Sequence, residues 1–257
     1  MHGTPLPSDD AARTEHDVAR WGAVISLTLG VFGLVTAEFL PVSLLTPLSV
    51  DLGVSAGVAG QSITTTAVMA AIAAPGVVIF TRSIDRRWTV LALTALLIIS
   101  SLIAAIASDI TMVLVARALL GIGLGGFWAI SAALAMRLVP PARMPRAMAI
   151  IMAGVSLATV CAAPLGAWIG ATLGWRAAFY LSAGVGVVAF VAQAALLPAL
   201  PPTGHAGLGT LVTLMRRPAI RTALFTILCS SRVTSPASPI SGLISNRSRT
   251  STSRRSR

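Results

Sequence analysis

The residue with the clearest chemical potential is Glu38, because it is the only acid inside any long apolar stretch of the sequence. An ionised carboxylate at membrane depth costs roughly 2.5–3.5 kcal/mol on insertion scales, so it needs a partner, a water-filled cavity or a proton. Pro41 follows three residues later and has no N–H to donate to the carbonyl of Ala37. An acid beside a carbonyl that lacks its helical hydrogen bond is typical of a functional site in a membrane transporter.

Arg117 is a base inside another apolar stretch, and it lies seven residues from the end of that stretch, as Glu38 does from the end of its own. Opposite charges at similar depth are expected to approach each other. An ion pair would favour ionised Glu38, so proton uptake would require the two groups to separate and would be coupled to a conformational change. Two plainer hypotheses stay open, since Arg117 can snorkel to the interface and such a pair can be purely structural.

Two uncharged residues are candidates for contacting a small-molecule substrate. Trp128 shares one helix face with Arg117, because residues 117, 121, 125 and 128 are three or four positions apart. Gln61 begins a polar stretch of hydroxyl residues that can bond their own helix backbone, whereas Gln61 has no such easy partner. We therefore predict Gln61 and Trp128 as substrate contacts.

The stretches that carry these residues are long enough to cross a membrane. Only 11% of the 257 residues are charged, against about 25% in soluble proteins. Six apolar stretches reach the roughly 20 residues that a bilayer core of about 30 Å requires. They are residues 21–45, 58–80, 88–107, 110–136, 147–173 and 176–200. Because they do not alternate as barrel strands do, we predict an all-α membrane protein.

The arginines between the stretches predict the orientation. The gaps after the first and third stretches hold Asp51 and Asp109 without a base, whereas those after the second, fourth and sixth hold three arginines each. These are Arg82, Arg86 and Arg87; Arg137, Arg143 and Arg146; and Arg216, Arg217 and Arg221. Arginine excess marks the cytoplasmic side, so both ends of the six-helix unit are expected inside the cell.

The predicted domain organisation is a polar cytoplasmic arm at residues 1–20, a six-helix bundle at 21–200 and a cytoplasmic linker at 201–218. A seventh helix starts at 219–228 and is too short to span a membrane. Residues 229–257 contain no acid and are rich in Ser and Arg, so they are expected to be disordered. They are either a basic tail that touches anionic lipid or nucleic acid, or the product of a shifted reading frame, which we favour.

Other classes of function find little support. The net charge of +11 comes from arginines in the gaps and not from one basic face, so no nucleic-acid partner is predicted. Neither the three histidines nor Cys161 and Cys229 have metal-binding spacing, so we predict no metal, no cofactor and no enzyme active site. Residues 121–126 satisfy G-x-G-x-x-G but lie inside an apolar stretch, so they and the glycines at 166, 170 and 174 are predicted to be helix-packing faces.

Three short motifs resemble those of the major facilitator superfamily, whose members join two six-helix halves around a midplane site. Residues 117–121 resemble the fourth-helix R-x-x-x-G motif, whose arginine is linked to proton coupling. Pro164 and Gly166 resemble the fifth-helix antiporter motif, with Ala163 in place of its first glycine. Residues 84–87 resemble the gating loop between helices two and three, which would assign gating to Asp85, Arg86 and Arg87, although its leading glycine is absent and its spacing is shortened.

Longer stretches are similar to purine ribonucleoside efflux proteins of the bacterial drug:proton antiporter branch. They are residues 38–47, 57–62, 124–129 and 136–141, and residues 174–179 fit that branch broadly. The resemblance implies a multi-pass inner-membrane transporter that exports purine ribonucleosides in exchange for protons by alternating access. The resemblance implies that this chain contains only the N-terminal half of such a transporter.

That half is expected to be inactive alone and to need a missing C-terminal half or an oligomeric partner. A sugar or multidrug exporter of the same superfamily and a non-transporting membrane interaction fragment are the alternatives.

Overall fold

The computed structural model describes residues 20–202, so the predicted seventh helix and tail, and most of the arm and linker, lie outside the described residues. Six α-helices fill this part of the chain, each long and apolar enough to cross a membrane, and it contains no strand. They are α1 (Trp21–Asp51), α2 (Ala56–Phe80), α3 (Arg86–Ala105), α4 (Ile110–Leu138), α5 (Met144–Thr172) and α6 (Trp175–Leu196). The prediction of an all-α, six-span bundle is confirmed.

The ends of α1 and α6 differ most from the predicted spans, and proline is involved in both. Helix α1 continues through Pro41 and Pro47 to Asp51, so Pro41 removes a backbone hydrogen bond without breaking the helix. Helix α6 ends at Leu196, short of the predicted residue 200, because Leu197 precedes Pro198 and takes an extended conformation with ψ of 122°. The helix defect predicted at Pro41 is therefore limited to the carbonyl of Ala37, which has no backbone donor from residue 41.

The packing of the bundle is organised around α1, the most buried of the six helices. It packs mainly against α5 and α6, while α2 packs most extensively against α4, and α3 packs against α4 and α6. Helices α2 and α5 are the least buried among residues 20–202. Helices α2 and α5 therefore leave much of their own apolar surface uncovered.

Small residues allow α1 and α5 to approach closely. A methyl group added at Gly154, Gly166 or Gly170 would lie 2.5–2.6 Å from atoms of α1. The predicted packing role is confirmed at Gly166 and Gly170, whereas Gly174 has open space around it and a φ of +86°. Gly174 therefore serves the turn that begins α6, because few other residues adopt such a φ without strain.

A buried polar side chain joins three helices. Gln193 of α6 is fully buried; its Oε1 accepts a hydrogen bond of 2.7 Å from Thr94 of α3, and its Nε2 donates one of 3.4 Å to the carbonyl of Ser26 in α1. A methyl group added at Gly30 would collide with the amide nitrogen of Gln193. Since a buried amide without partners is costly, these contacts bind α1, α3 and α6 in one register.

Candidate functional site

Arg117 lies in the interior of the bundle, with only 3% of its surface exposed. Its Nη1 donates a hydrogen bond of 2.7 Å to the carbonyl of Ala37 in α1, and its guanidinium carbon lies 4.9 Å from the ring centroid of Phe179 in α6. Its Nε has no hydrogen-bond partner among the described residues. This burial favours the hypothesis of an internal base over that of a side chain snorkelling to the interface.

The carbonyl that binds Arg117 is the one that the proline leaves free. In an uninterrupted helix the N–H of residue 41 would donate to the carbonyl of residue 37, but Pro41 has no N–H. The guanidinium of Arg117 takes the place of this missing donor. The local defect predicted from the sequence thus becomes the contact that links α1 to α4.

Glu38 lies next to this contact but is not part of it. Within residues 20–202 one ion pair is shorter than 4.0 Å, between Arg176 and Asp51, so Glu38 and Arg117 form no direct salt bridge. Glu38 is half-buried, and it directly follows Ala37, whose carbonyl binds Arg117. The guanidinium bonds to the carbonyl that lacks a backbone donor and not to the Glu38 carboxylate.

Glycines on α4 place Arg117 against α2. A methyl group added at Gly121 would lie 2.5 Å from the carbonyl oxygen of Thr66, and one added at Gly125 would lie 2.8 Å from the Cα of Ala70. The hydroxyl of Thr66 also donates to the carbonyl of Arg117, at 3.3 Å. The G-x-G-x-x-G pattern therefore serves close helix packing.

The two predicted substrate contacts are accessible, and no hydrogen bond among the described residues joins either of them to Arg117. Gln61 of α2 and Trp128 of α4 are both exposed, Trp128 to 41%. Trp128 lies eleven residues beyond Arg117, or about 16 Å along the helix axis. Neighbouring hydroxyls bond their own helix as predicted, Thr65 to the carbonyl of Gln61 and Thr66 to that of Ser62.

The side chains of the predicted gating residues contact the end of α2, the end of α6 and the segment that follows α6. Asp85 accepts hydrogen bonds from the backbone N–H of Arg87, at 2.8 Å, and of Leu200, at 2.9 and 3.1 Å. Arg87 donates to the carbonyl of Ala194 at 2.7 Å, and Arg86 donates to the hydroxyl of Thr81 at 3.0 Å. All three side chains therefore have partners within this bundle.

Replacing Asp85 by alanine is expected to loosen the attachment of Leu200 to the start of α3. The variant loses the carboxylate that accepts from two backbone N–H groups, and hydrogen bonds to charged groups are worth about 1.5–3 kcal/mol. Hydrogen exchange of the Leu200 amide measures the effect, which should be an increase of about tenfold or more. Asp109→Ala is the matched control, because Asp109 accepts one N–H, that of Met112, at the start of α4. Unchanged exchange at Leu200 in Asp85→Ala would contradict this role.

The predicted antiporter motif lies on α5. Gly166 packs against Leu40 and the hydroxyl of Ser43 in α1, whereas Pro164 lies inside the continuous helix and is exposed. Gly166 thus approaches the α1 segment that contains Pro41. No contact of the described residues assigns a function to Pro164.

Sequence reasoning missed Gln193 and Phe179. Gln193 carried a usable signal, because it is one of only two glutamines and lies within an apolar stretch. Phe179 carried none, since an aromatic residue in a membrane helix is ordinary. Among residues 20–202 no group of three or more His, Cys, Asp or Glu side chains could hold a metal ion.

A six-helix bundle with an acid and a base in its membrane interior is the architecture of half a secondary transporter. The Major Facilitator Superfamily sequence model matches residues 27–247, and the chain belongs to that family. It is a multi-pass membrane protein, and the bacterial inner membrane fits its composition and its relatives.

Similar curated proteins are the purine ribonucleoside efflux pumps NepI. The protein from Escherichia coli O6:K15:H31 is 43% identical over 210 residues, which is 82% of this chain and 53% of that protein. The one from Salmonella paratyphi A is 42% identical with the same coverage. The chain thus spans about half the length of the curated relatives it matches.

Solved structures support the fold. The peptide transporter POT (E310Q mutant), in complex with sulfate, superimposes with a TM-score of 0.62 at 14% identity, over 86% of this chain and 48% of that one. The same mutant in complex with alafosfalin gives 0.60 over 82% of this chain and 46% of that one. At this identity the likeness concerns the fold alone.

Proposed function

We propose that this chain forms the N-terminal half of a proton-coupled exporter of purine ribonucleosides. The observation that carries the proposal is the buried Arg117, held by the Ala37 carbonyl next to Glu38. A buried base beside a half-buried acid in a membrane interior provides the groups for a proton relay. The similarity to purine ribonucleoside efflux pumps supports the choice of substrate.

In this mechanism Glu38 carries the proton and Arg117 responds to its charge. Ionised Glu38 attracts the guanidinium, whereas protonated Glu38 does not, so each proton changes the force between α1 and α4. Alternating access then exposes Glu38 to the two sides in turn as two halves rock about a shared site. The loop containing Asp85, Arg86 and Arg87, on the cytoplasmic side in the proposed orientation, acts as the gate. Gly166 of the antiporter motif lies on the α5 face that moves against α1, and Pro164 of the same motif lies on the opposite, exposed face.

The substrate site lies between this half and its partner. Trp128 offers an exposed indole on which a purine base can stack, an interaction worth about 1–3 kcal/mol per base, and Gln61 offers an exposed amide that can hydrogen-bond the base or the ribose. The partner is a C-terminal half or a second membrane subunit, because half of the fold leaves such a site open on one side.

Transport in inverted membrane vesicles tests the proposal. The chain is produced alone and together with the C-terminal half of an efflux pump that it resembles, and uptake of inosine, arabinose and a cationic dye is measured under a proton gradient. The expected result is uptake of inosine but not of arabinose or dye, and only when the chain is produced together with the C-terminal half. Uptake of arabinose or dye instead identifies a sugar or multidrug exporter. No uptake in either arm, with a stable oligomer in detergent, identifies a non-transporting interaction fragment.

A further inference from the structure

The start of α6 connects the membrane surface to Arg117. Phe179 is buried to 1% exposure, and the face of its ring lies against the guanidinium of Arg117, at 4.9 Å. Trp175, one helical turn earlier, meets the Phe179 ring edge-on, with centroids 5.9 Å apart and an interplanar angle of 84°. Such edge-to-face pairs are favourable and orient both rings.

Trp175 is itself fixed at the end of the bundle. Its Nε1 donates to Asp51 at 3.1 Å, and the neighbouring Arg176 donates to the same carboxylate oxygen at 2.6 Å and to the carbonyl of Ala107 at 2.9 Å. The guanidinium of Arg176 also lies 4.3 Å from the Trp175 ring centroid. These contacts join the ends of α1 and α3 to the start of α6, and so set the position of Phe179.

The physical need for Phe179 follows from the burial of Arg117. Removing the counter-charge of a buried ion costs several kcal/mol unless other groups support it. Glu38 directly follows Ala37, whose carbonyl binds Arg117, so its charge lies near the guanidinium and a proton on Glu38 removes it. The ring quadrupole of Phe179 and the dipole of the Ala37 carbonyl remain whatever the protonation of Glu38.

We propose that Phe179 is a positioning residue, which holds the Arg117 guanidinium in the bundle when Glu38 is protonated. The contact itself stands on the geometry, whereas its part in coupling rests on the proposed function. The segment from Trp175 to Phe179 is then the part of α6 that fixes the position of the Arg117 guanidinium. A Phe179 that merely fills space would be replaceable by any group of the same shape.

Fluorinated phenylalanines at position 179 separate these roles, because added fluorine weakens the ring quadrupole and changes the shape little. The full chain is purified in lipid nanodiscs with one, two or three fluorines on residue 179, and thermal unfolding is measured. The unfolding temperature should fall stepwise, by about 2–4 °C over the series, as expected for a contact of about 1 kcal/mol. The same series at Phe127, which is equally buried, should show no such steps.

An Arg117→Met background completes the stability test, because without the cation the steps at position 179 should vanish. Equal steps at positions 179 and 127, or steps that persist in Arg117→Met, overturn the proposal in favour of simple packing. Proton-driven inosine uptake in the paired vesicles reports the coupling role and should fall by about fivefold across the series at position 179, the factor that corresponds to a contact of about 1 kcal/mol. If the unmodified pair does not transport, the proposed function fails and the coupling role with it, while the unfolding series still decides the contact.

Discussion

A Glu38→Gln variant is expected to lose proton-driven accumulation of inosine completely, while inosine still moves down its own gradient. Glutamine has the shape of a protonated glutamate but cannot release or bind a proton, so the relay step is absent. The bundle should stay folded, because Arg117 keeps its bond to the Ala37 carbonyl and its contact with Phe179. Proteoliposomes with this chain and a C-terminal half, assayed with and without a proton gradient, give the measurement.

Asp109→Asn is the matched control for this variant. It makes the same acid-to-amide change at the first residue before α4, where Asp109 caps the helix by accepting the N–H of Met112. Asparagine caps a helix about as well as aspartate, so uphill transport should be unchanged. Concentrative export by Glu38→Gln would show that another group carries the proton.

The second large effect is expected from Gly125→Ala. The added methyl group would lie 2.8 Å from the Cα of Ala70 and would collide with the carbonyl oxygen of the same residue. Because these are backbone atoms, α2 and α4 must move apart, which costs about 1–3 kcal/mol or more in a well-packed core. Thermal unfolding in nanodiscs should show a marked loss of stability, and Arg117 should lose its register against α1.

Gly184→Ala provides the comparison for this helix–helix contact. Gly184 lies inside α6, is exposed and has open space around its added methyl group. Alanine is a better helix former than glycine by about 1 kcal/mol, so this variant should be as stable as the parent or slightly more stable. Equal behaviour of the two variants would exclude steric contact between α2 and α4 as the reason for Gly125.

The sequence was sufficient for those features that depend on local rules. Apolar length predicted six helices, and the proline rule predicted the unpaired carbonyl of Ala37, because both follow from one helix at a time. The ends of α1 and α6 were predicted wrongly. Helix α1 tolerates Pro47 and continues to Asp51, whereas α6 ends early because Pro198 forces the preceding Leu197 out of the helical conformation.

The contacts between helices were less predictable. Equal depth suggested that Arg117 would meet Glu38, but depth along an axis says nothing about the rotation of either helix. The structure shows that the guanidinium reaches the backbone one residue away. Phe179 was missed for the same reason, because its ring faces Arg117 only through the packing of α6 against the rest of the bundle.

The buried amide of Gln193 makes one position of α1 dependent on another far along the chain. Any side chain at residue 30 would take the space that the amide occupies, and a shorter side chain at residue 193 would leave Thr94 without its acceptor. Neither position can therefore vary freely while the other stays the same. Among relatives with this architecture, glycine at 30 and glutamine at 193 should be retained together or replaced together. The pair therefore tests whether two lineages share this contact between α1, α3 and α6.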